Sequence, residues 1–168
     1  NTQGLAVRCD IAVVGAGAAG LYAAICASGG GRRVVLFEKN KRPGLKILIS
    51  GGGRCNLTTT KRGQDLEAQY GKRRGRWLRH ALRAFPPTAL VELVEGLGVP
   101  LQEEDLDKIF PVSGRAGDVL DALLRGAESA GVEIVYEASM QGLVRRDDGF
   151  DLQLEGSSVQ ASRVILAT

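Results

Sequence analysis

The stretch that decides the fold runs from Cys9 to Lys39 and reads "CDIAVVGAGAAGLYAAICASGGGRRVVLFEK". It opens with a short β-branched run of the kind found in strands that are buried on both faces. A glycine-rich turn follows, and then an apolar segment that predicts a helix over Ala18–Ser28. Three glycines end that helix, and "RVVLFE" predicts a second buried strand. The stretch therefore predicts a βαβ unit at residues 9–39, with a right-handed crossover.

The turn "GAGAAG" matches the pattern G-x-G-x-x-G between a strand and a helix. Its first glycine permits a tight turn, its second lets the backbone approach a pyrophosphate, and its third lets helix and strand pack closely. The first N–H groups of the helix add a partial positive charge that favours phosphate. The predicted phosphate-binding residues are Gly15, Gly17, Ala18, Ala19 and Gly20.

Glu38 lies at the end of the second predicted strand, 18 residues after Gly20. That position directs a carboxylate at ribose hydroxyls, so the turn and the acid together predict an adenine dinucleotide. The alternative is an ordinary glycine turn with a surface glutamate. Glu38 disfavours the 2′-phosphate of NADP, although Lys39 (also a predicted cofactor contact) and its basic neighbours Lys41 and Arg42 keep that cofactor open.

A second glycine-rich loop, "KILISGGGRCN", covers Lys46–Asn56. A long dinucleotide needs backbone approach at more than one point, and this loop offers N–H groups without side chains in the way. Lys46 and Arg54 can offset the charge of phosphates or of a reduced flavin. The predicted contacts in this loop are Lys46, Ser50, Gly51, Gly52, Gly53, Arg54, Cys55 and Asn56.

The layout of the chain distinguishes between dinucleotides. The second strand does not lead quickly into another helix and parallel strand, because about 70 residues intervene; a helix, a strand and an antiparallel meander then lead to "VILAT". This layout looks like the FAD-binding domain of two-dinucleotide-binding flavoproteins. The resemblance implies that the backbone at Met140 touches the adenine, and that Ala167 and Thr168 form a turn that approaches the cofactor again.

The motifs "GAGAAG", "KILISGGGRCN", "FPVSGRAGDVLDALL" and "VILAT" together resemble the bacterial NAD(P)/FAD-dependent oxidoreductases of the aminoacetone-oxidase-like family, over nearly all of the chain. The resemblance implies non-covalent FAD, hydride transfer to or from a small organic substrate, and NAD(P)H as a candidate electron donor. It also implies a longer protein, with substrate specificity and the principal acid–base catalyst outside these residues. It places Pro111, Ser113 and Arg115 near the flavin; Leu45 departs mildly from the family pattern.

The predicted fold class is α/β, a Rossmann-like FAD-binding domain in which a parallel sheet with helices is joined by an antiparallel β-meander, incomplete at its C-terminus. Its parts are the βαβ unit 9–39, a loop and helical excursion 40–113, and a helix, strand and meander at 114–168. The net charge of +3 and the lack of a long apolar run or signal segment predict a cytoplasmic protein with neither a nucleic-acid nor a membrane partner. Three cysteines without metal-like spacing predict no metal site. No feature sets an oligomeric state.

Within the excursion, the polar stretch 58–71 and "IFPVSG" are predicted to be loops. One helix is predicted to bury Trp77, Leu78, Ala81, Leu82 and Phe85, and a second follows Pro87. Farther on, Asp148-Gly149 predicts a hairpin turn, with Phe150, Leu152 and Leu154 alternating along the strand.

Several residues have both a chemical and a plain interpretation. Cys55 is either a redox-active thiol or, as favoured here, a small residue packed beneath its loop; Cys9 and Cys26 are predicted core residues. His80 is a general-base candidate or, as favoured, a helix-surface residue. The basic run favours a solvated face, or a contact with another part of a longer protein, over a nucleic-acid site, and it comprises Lys72, Arg73, Arg74, Arg76, Arg79 and Arg83. Two alternative functions remain: an NAD(P)-dependent dehydrogenase, and a non-catalytic nucleotide-sensing or RNA-associated protein.

Overall fold

Two sheets and six α-helices organise the part of the chain that the structure, a computed structural model, describes, residues 7–168. The elements are β1 (Val7–Val14), α1 (Ala18–Ala27), β2 (Val34–Phe37), α2 (Leu45–Ile49), β3 (Thr58–Thr59), α3 (Gly63–Gln69), α4 (Gly71–Ala84), α5 (Pro87–Gly96), β4 (Leu101–Glu104), β5 (Lys108–Pro111), α6 (Ala116–Ser129), β6 (Glu133–Val135), β7 (Met140–Arg146), β8 (Gly149–Leu154) and β9 (Ser157–Leu166). The turn Ser50–Gly53 follows α2 directly, and Gly51 and Gly52 within it do not have helical dihedrals.

The larger sheet has the strand order β6-β2-β1-β9-β8-β7. Strands β6, β2, β1 and β9 run parallel, and β8 and β7 continue the sheet in antiparallel fashion. All four residues of β2 are buried, as expected for a central parallel strand that is covered on both faces. The predicted βαβ unit and the α/β class, with its parallel sheet and antiparallel meander, are confirmed.

The antiparallel meander, β7 to β9, contributes apolar side chains to the core. Its hairpin turn lies at Asp147 and Asp148, one residue before the predicted Asp148-Gly149, because Gly149 pairs with Arg146 and begins β8. Phe150, Leu152 and Leu154 pack on the same apolar cluster, which confirms the alternation predicted from the sequence. The buried members of that cluster are Cys9, Ala12, Val14, Val35, Phe37, Ala138, Leu152, Val159 and Ala161.

The chain divides into two compact units. The first contains the larger sheet and consists of the residues up to Lys46 together with Leu123–Thr168. The second, Ile47–Ala122, contains helices α3, α4 and α5 and a small antiparallel sheet of order β3-β5-β4. Between residues 7 and 168, no helix has both the length and the apolar character needed to cross a membrane.

The second unit differs most from the sequence expectations. The stretch 58–71 holds β3 and α3 rather than a loop, and "IFP" belongs to β5, paired with β4. Helix α4 forms as predicted, but Trp77 is 82% exposed, and Leu78 and Ala81 are also exposed, so the predicted apolar face is not buried. The residue of α4 that is buried is Gly75, because its position lies against the backbone of Glu67 in α3. Cys26, expected in the core, is also exposed.

Candidate functional site

The glycine turn of the first unit lies where β1, β9 and α1 meet. A Cβ atom at Gly15 would lie 2.7 Å from the carbonyl oxygen of Ala167, and one at Gly20 would lie 1.7 Å from the carbonyl oxygen of Gly15. Gly15 also has a backbone φ of 103°, which residues other than glycine rarely adopt. The N–H of Ala167 donates to the carbonyl of Val14 at 2.9 Å. The structure therefore brings the predicted residues Ala167 and Thr168 beside the glycine turn.

Gly17 is different from its two neighbours. A Cβ atom at this position would meet nothing within 4 Å, so no part of the described chain requires a glycine here. Gly17 is the N-cap of α1 and makes no side-chain cap, while Ala18 and Ala19 are exposed. The first N–H groups of α1 therefore face an open space, and helix N-termini of this kind attract anions.

Glu38 is held beside the turn and is not a surface glutamate. It is 6% exposed, and its Oε2 accepts a hydrogen bond from the N–H of Ala16 at 2.9 Å. Its Oε1 accepts from the backbone N–H and the Nδ2 of Asn40, at 2.9 and 2.7 Å. A carboxylate has about four acceptor positions, so these three bonds leave room for one more donor such as a ribose hydroxyl.

Gly44 and Ala138, which were not among the predicted cofactor contacts, also reach this region. The N–H of Gly44 donates to the carbonyl of Ala16, and the N–H of Ala138 donates to the carbonyl of Glu38, both at 2.9 Å. Ala138 follows β6, the strand after which an adenine contact was expected. Met140 itself begins β7, and its side chain packs on the core cluster. Lys39 and Lys46 are exposed.

The second glycine loop, in the second unit, is built from left-handed backbone. Gly51, Gly52 and Gly53 have φ of 54°, 68° and 86°, so all three positions favour glycine. A Cβ atom at Gly51 would lie 2.6 Å from the backbone nitrogen of Asn56 and 3.1 Å from the ring of Phe110, whereas one at Gly52 would meet nothing within 4 Å. The three glycines and Asn56 are exposed, which leaves their backbone accessible.

Arg54 is held by two contacts within its own unit. Its guanidinium forms an ion pair with Glu104 and lies over the ring of Phe110, 4.6 Å from the ring centroid. The hydrogen bond from Arg54 holds the pKa of Glu104 below its usual range. Sequence reasoning missed both partners, since each is distant in the chain; Glu104 lies 50 residues away. Arg54 therefore anchors the loop, and part of its charge is already compensated.

Cys55 has the geometry of a structural residue. It is 5% exposed, has φ of 61°, and donates its N–H to the carbonyl of Ser50 at 3.0 Å. Ser50 in turn donates its hydroxyl to the carbonyl of Ile47. Burial raises the pKa of the Cys55 thiol, so the reactive thiolate is disfavoured at neutral pH.

The other residues singled out from the sequence lie at the end of β5, just after it, and on α4. Pro111 is buried at the end of β5, and the exposed Ser113 accepts a hydrogen bond from the N–H of Arg115. Arg115 is engaged by Asp118, and a Cβ atom at the intervening Gly114 would lie 3.7 Å from Nε of Arg54. The "FPVSG" segment thus lies beside the second glycine loop. His80 is exposed on α4. Within residues 7–168, no cluster of His, Cys, Asp and Glu could hold a metal ion.

Comparison with known proteins gives two relatives that are each 32% identical to this chain. One is the ribosomal RNA dihydrouridine synthase of Escherichia coli (strain K12), matched over 96% of this chain and 39% of that protein. The other is the 3-dehydro-bile acid delta(4,6)-reductase of Clostridium scindens, matched over 94% of this chain and 38% of that protein. The chain thus spans about two fifths of the length of these relatives.

A solved structure gives the same fold. The 3-ketosteroid-delta4-(5alpha)-dehydrogenase from Rhodococcus jostii RHA1 matches 100% of this chain and 47% of its own, with a TM-score of 0.69 and 19% identity. At that identity the likeness concerns the fold alone, and it agrees with the Rossmann-like α/β class expected from the sequence. The model of the HI0933-like protein Rossmann domain matches residues 9–168. Since that match covers nearly the whole chain, the chain belongs to the HI0933-like Rossmann domain family.

Proposed function

We propose that this protein is an FAD-dependent oxidoreductase that binds its cofactor non-covalently. The observation that carries the proposal is the contrast within the first glycine turn. Gly15 and Gly20 are enclosed by backbone, while Gly17 faces open space at the N-terminus of α1. Open space beside Gly17, next to helix N–H groups without a side-chain cap, fits a pyrophosphate.

In this proposal, different residues of the first unit bind different parts of the cofactor. The first N–H groups of α1, at Ala18 and Ala19, hold the pyrophosphate. Glu38 accepts a ribose hydroxyl at its remaining acceptor position, because Ala16 and Asn40 already fix the orientation of the carboxylate. FAD, when bound, supplies the flavin ring that takes up and releases a hydride.

The second loop supplies the remaining cofactor contacts in this proposal. Its three left-handed glycines leave backbone N–H groups exposed, and Arg54 holds the loop in shape through Glu104 and Phe110. Arginine keeps its proton at every accessible pH, so Arg54 stabilises negative charge and does not transfer a proton. Lys39, Lys46, Met140, Ala167 and Thr168 stay proposed contacts. The narrower likeness to aminoacetone-oxidase-like flavoproteins is also part of the proposal.

For the reaction, we propose reduction of a carbon–carbon double bond next to a carbonyl group. One relative is named for making dihydrouridine in ribosomal RNA and the other for a delta(4,6)-reduction of a bile acid. Dihydrouridine differs from uridine by two hydrogens across a ring double bond beside a carbonyl, so one reaction class accounts for both names. The net change is the addition of one hydride and one proton, with NAD(P)H as the proposed source of electrons.

Cofactor content tests the first part of the proposal. The full-length protein should be purified with a yellow flavin that denaturation releases as FAD. Gly17→Val should lose the flavin, because its side chain fills the open space, while its circular dichroism spectrum stays unchanged. Gly17→Ala is the matched control and should keep a larger share of the flavin. A protein that binds NAD but not FAD would support the alternative, a nicotinamide-dependent dehydrogenase.

Substrate class is tested separately from cofactor content. The flavin-loaded protein is mixed anaerobically with NADH or NADPH, and then with a uridine-containing RNA or a steroid 4,6-dienone. Oxidation of the nicotinamide in the presence of either acceptor, with a mass gain of two hydrogens in the product, is the expected result. Flavin that is reduced but passes electrons to neither acceptor would remove the proposed reaction class while leaving FAD binding intact.

A further inference from the structure

Helix α4 exposes a cationic and aromatic face that the proposed flavin chemistry does not use. Among its 14 residues are six arginines and lysines and no acidic residue. Lys72, Arg73, Arg74 and Arg76 are exposed and form no ion pair within residues 7–168. Trp77, the sole tryptophan of the sequence, lies among them and is 82% exposed. Tryptophan is highly buried on average, so an indole ring this exposed is uncommon, and its face is open to a stacking ligand.

Helix α4 is held in its orientation by contacts on the side opposite Trp77. Gly75 is buried, and a Cβ atom there would lie 2.2 Å from the carbonyl oxygen of Glu67 in α3, so the two helices touch through backbone. The Nε of Arg79 donates to both carboxylate oxygens of Glu67, at 2.9 and 3.0 Å. One cation of the run is therefore structural, and it helps to hold α4 in the orientation that leaves Trp77 exposed.

The exposed cations flank the indole ring. Arg73 and Arg74 precede Trp77 by four and three residues, which places both one helical turn from it. His80 follows Trp77 by three residues and is also exposed. Cations beside an open aromatic ring suit a ligand that alternates phosphates with flat, stackable groups.

We propose that this face of α4 binds single-stranded RNA, with phosphates on Arg73, Arg74 and Arg76 and a base stacked on Trp77. The choice of RNA among polyanions rests on the proposed function, in which a uridine is one candidate substrate. A membrane surface fits poorly, since Trp77 and the 37% exposed Leu78 are the large apolar side chains exposed on α4, and the third, Leu82, is half-buried. An acidic protein would use the cations but gives no reason for an open tryptophan ring.

Direct binding to full-length, flavin-loaded protein tests the proposal, with fluorescein-labelled oligouridine as the probe. The logarithm of the affinity should fall linearly with the logarithm of salt concentration, and Arg73→Gln with Arg76→Gln should reduce that slope by about 0.7 for each phosphate that is no longer neutralised. Trp77→Ala should weaken binding by about 5- to 140-fold, as for loss of one stacked base, and Trp77→Phe should restore most of it. Quenching of indole fluorescence by the RNA should disappear in Trp77→Phe.

The control removes the same number of charges elsewhere. Arg125→Gln with Arg145→Gln alters two exposed arginines outside α4, and this variant should bind the RNA as the parent does. Equal losses in both double variants would overturn the proposal, because they would indicate a general charge effect. Unchanged binding in Trp77→Ala, together with competition by polyglutamate as strong as by RNA, would assign the face to an acidic protein instead.

Failure here is distinguishable from failure of the proposed function. Reduction of the flavin by NAD(P)H reports the cofactor site and should be the same in all α4 variants. RNA binding that survives in Gly17→Val, a variant without flavin, would keep this inference even if the oxidoreductase proposal failed.

Discussion

In the turn Gly15–Gly20, two glycines are enclosed by backbone and the third faces open space, whereas in the loop Gly51–Gly53 all three have left-handed backbone and Gly51 is the one enclosed. The first turn needs glycine mainly because neighbouring atoms occupy the space of a side chain. The second loop needs it mainly because its backbone takes a conformation that side chains disfavour. Each loop also keeps one open glycine, Gly17 or Gly52, whose side-chain space is not filled by any of residues 7–168.

The largest loss of stability is expected at Gly20, where backbone atoms leave the least space for a side chain. Gly20→Ala should lower the free energy of unfolding by about 3 kcal/mol or more, because its Cβ would lie 1.7 Å from a backbone oxygen that no rotamer change can move. Gly17→Ala should cost below about 1 kcal/mol, as an N-cap change into open space. Urea denaturation of both variants measures the difference, and similar midpoints would contradict the steric account of this turn.

The second loop should rank its glycines differently. Gly51→Ala combines a left-handed residue with a Cβ 2.6 Å from the nitrogen of Asn56, and should cost about 2–4 kcal/mol of unfolding free energy. Gly52→Ala has the left-handed strain without a close contact and should cost about 1 kcal/mol. The same urea experiment applies. If Gly52→Ala were the more harmful change, backbone conformation alone would not explain this loop.

The next largest effect is expected for Glu38, whose carboxylate lies beside the first turn. Glu38→Ala removes the acceptor for the N–H of Ala16 and the proposed ribose contact, so the affinity for FAD should fall by about 1–3 kcal/mol. Glu38→Gln keeps one acceptor oxygen and should fall between that variant and the parent. Titration of the apoprotein with FAD, followed by flavin fluorescence, measures both. Full affinity in Glu38→Ala would remove this residue from the binding site.

The smallest effect on stability is expected for the Arg54–Glu104 ion pair of the second loop, and it depends on pH. The pKa of Glu104 is lowered by its hydrogen bond from Arg54, so the pair stabilises the fold above the carboxyl's unfolded pKa, and this stability is lost as pH falls through the folded pKa. Arg54→Met should therefore lower the urea midpoint at neutral pH but hardly at all in acid. The exposed Arg125→Met is the control and should show no such pH dependence.

The same variant also tests the proposed role of Arg54 in catalysis. Arg54→Met should slow flavin reduction or loosen FAD without moving the pH optimum, since arginine does not lose its proton. A shifted optimum would mean that Arg54 controls a titrating group in the reaction.

Sequence reasoning succeeded for the first unit and failed mainly in the second. The βαβ unit and the meander hairpin follow from local signals, because glycine spacing and apolar alternation act over a few residues. Strand β4 is polar after Leu101, and β5 has the consecutive apolar residues Ile109, Phe110 and Pro111, so neither strand shows an alternating apolar period. Helix α3 is mostly polar. The pairing of such segments depends on long-range contacts that a local pattern does not contain.

Trp77 illustrates a different limit. Its spacing with other apolar residues of α4 predicted a buried position, yet the helix packs through Gly75, which has no side chain and therefore no weight in a hydrophobic pattern. The exposure of Trp77 is what makes the basic run a candidate RNA surface.

The sequence alone was enough to predict the βαβ unit, the phosphate-binding turn and the acid after β2, since each rests on backbone freedom or periodicity within a short stretch. It could not predict that Ala16 and Asn40 orient Glu38, or that Glu104 and Phe110 hold Arg54. These contacts, most of them between residues far apart in the chain, exist because the packed fold brings the groups together. The chemistry of an isolated residue is set by its type, but its partners and its exposure are set by the tertiary structure.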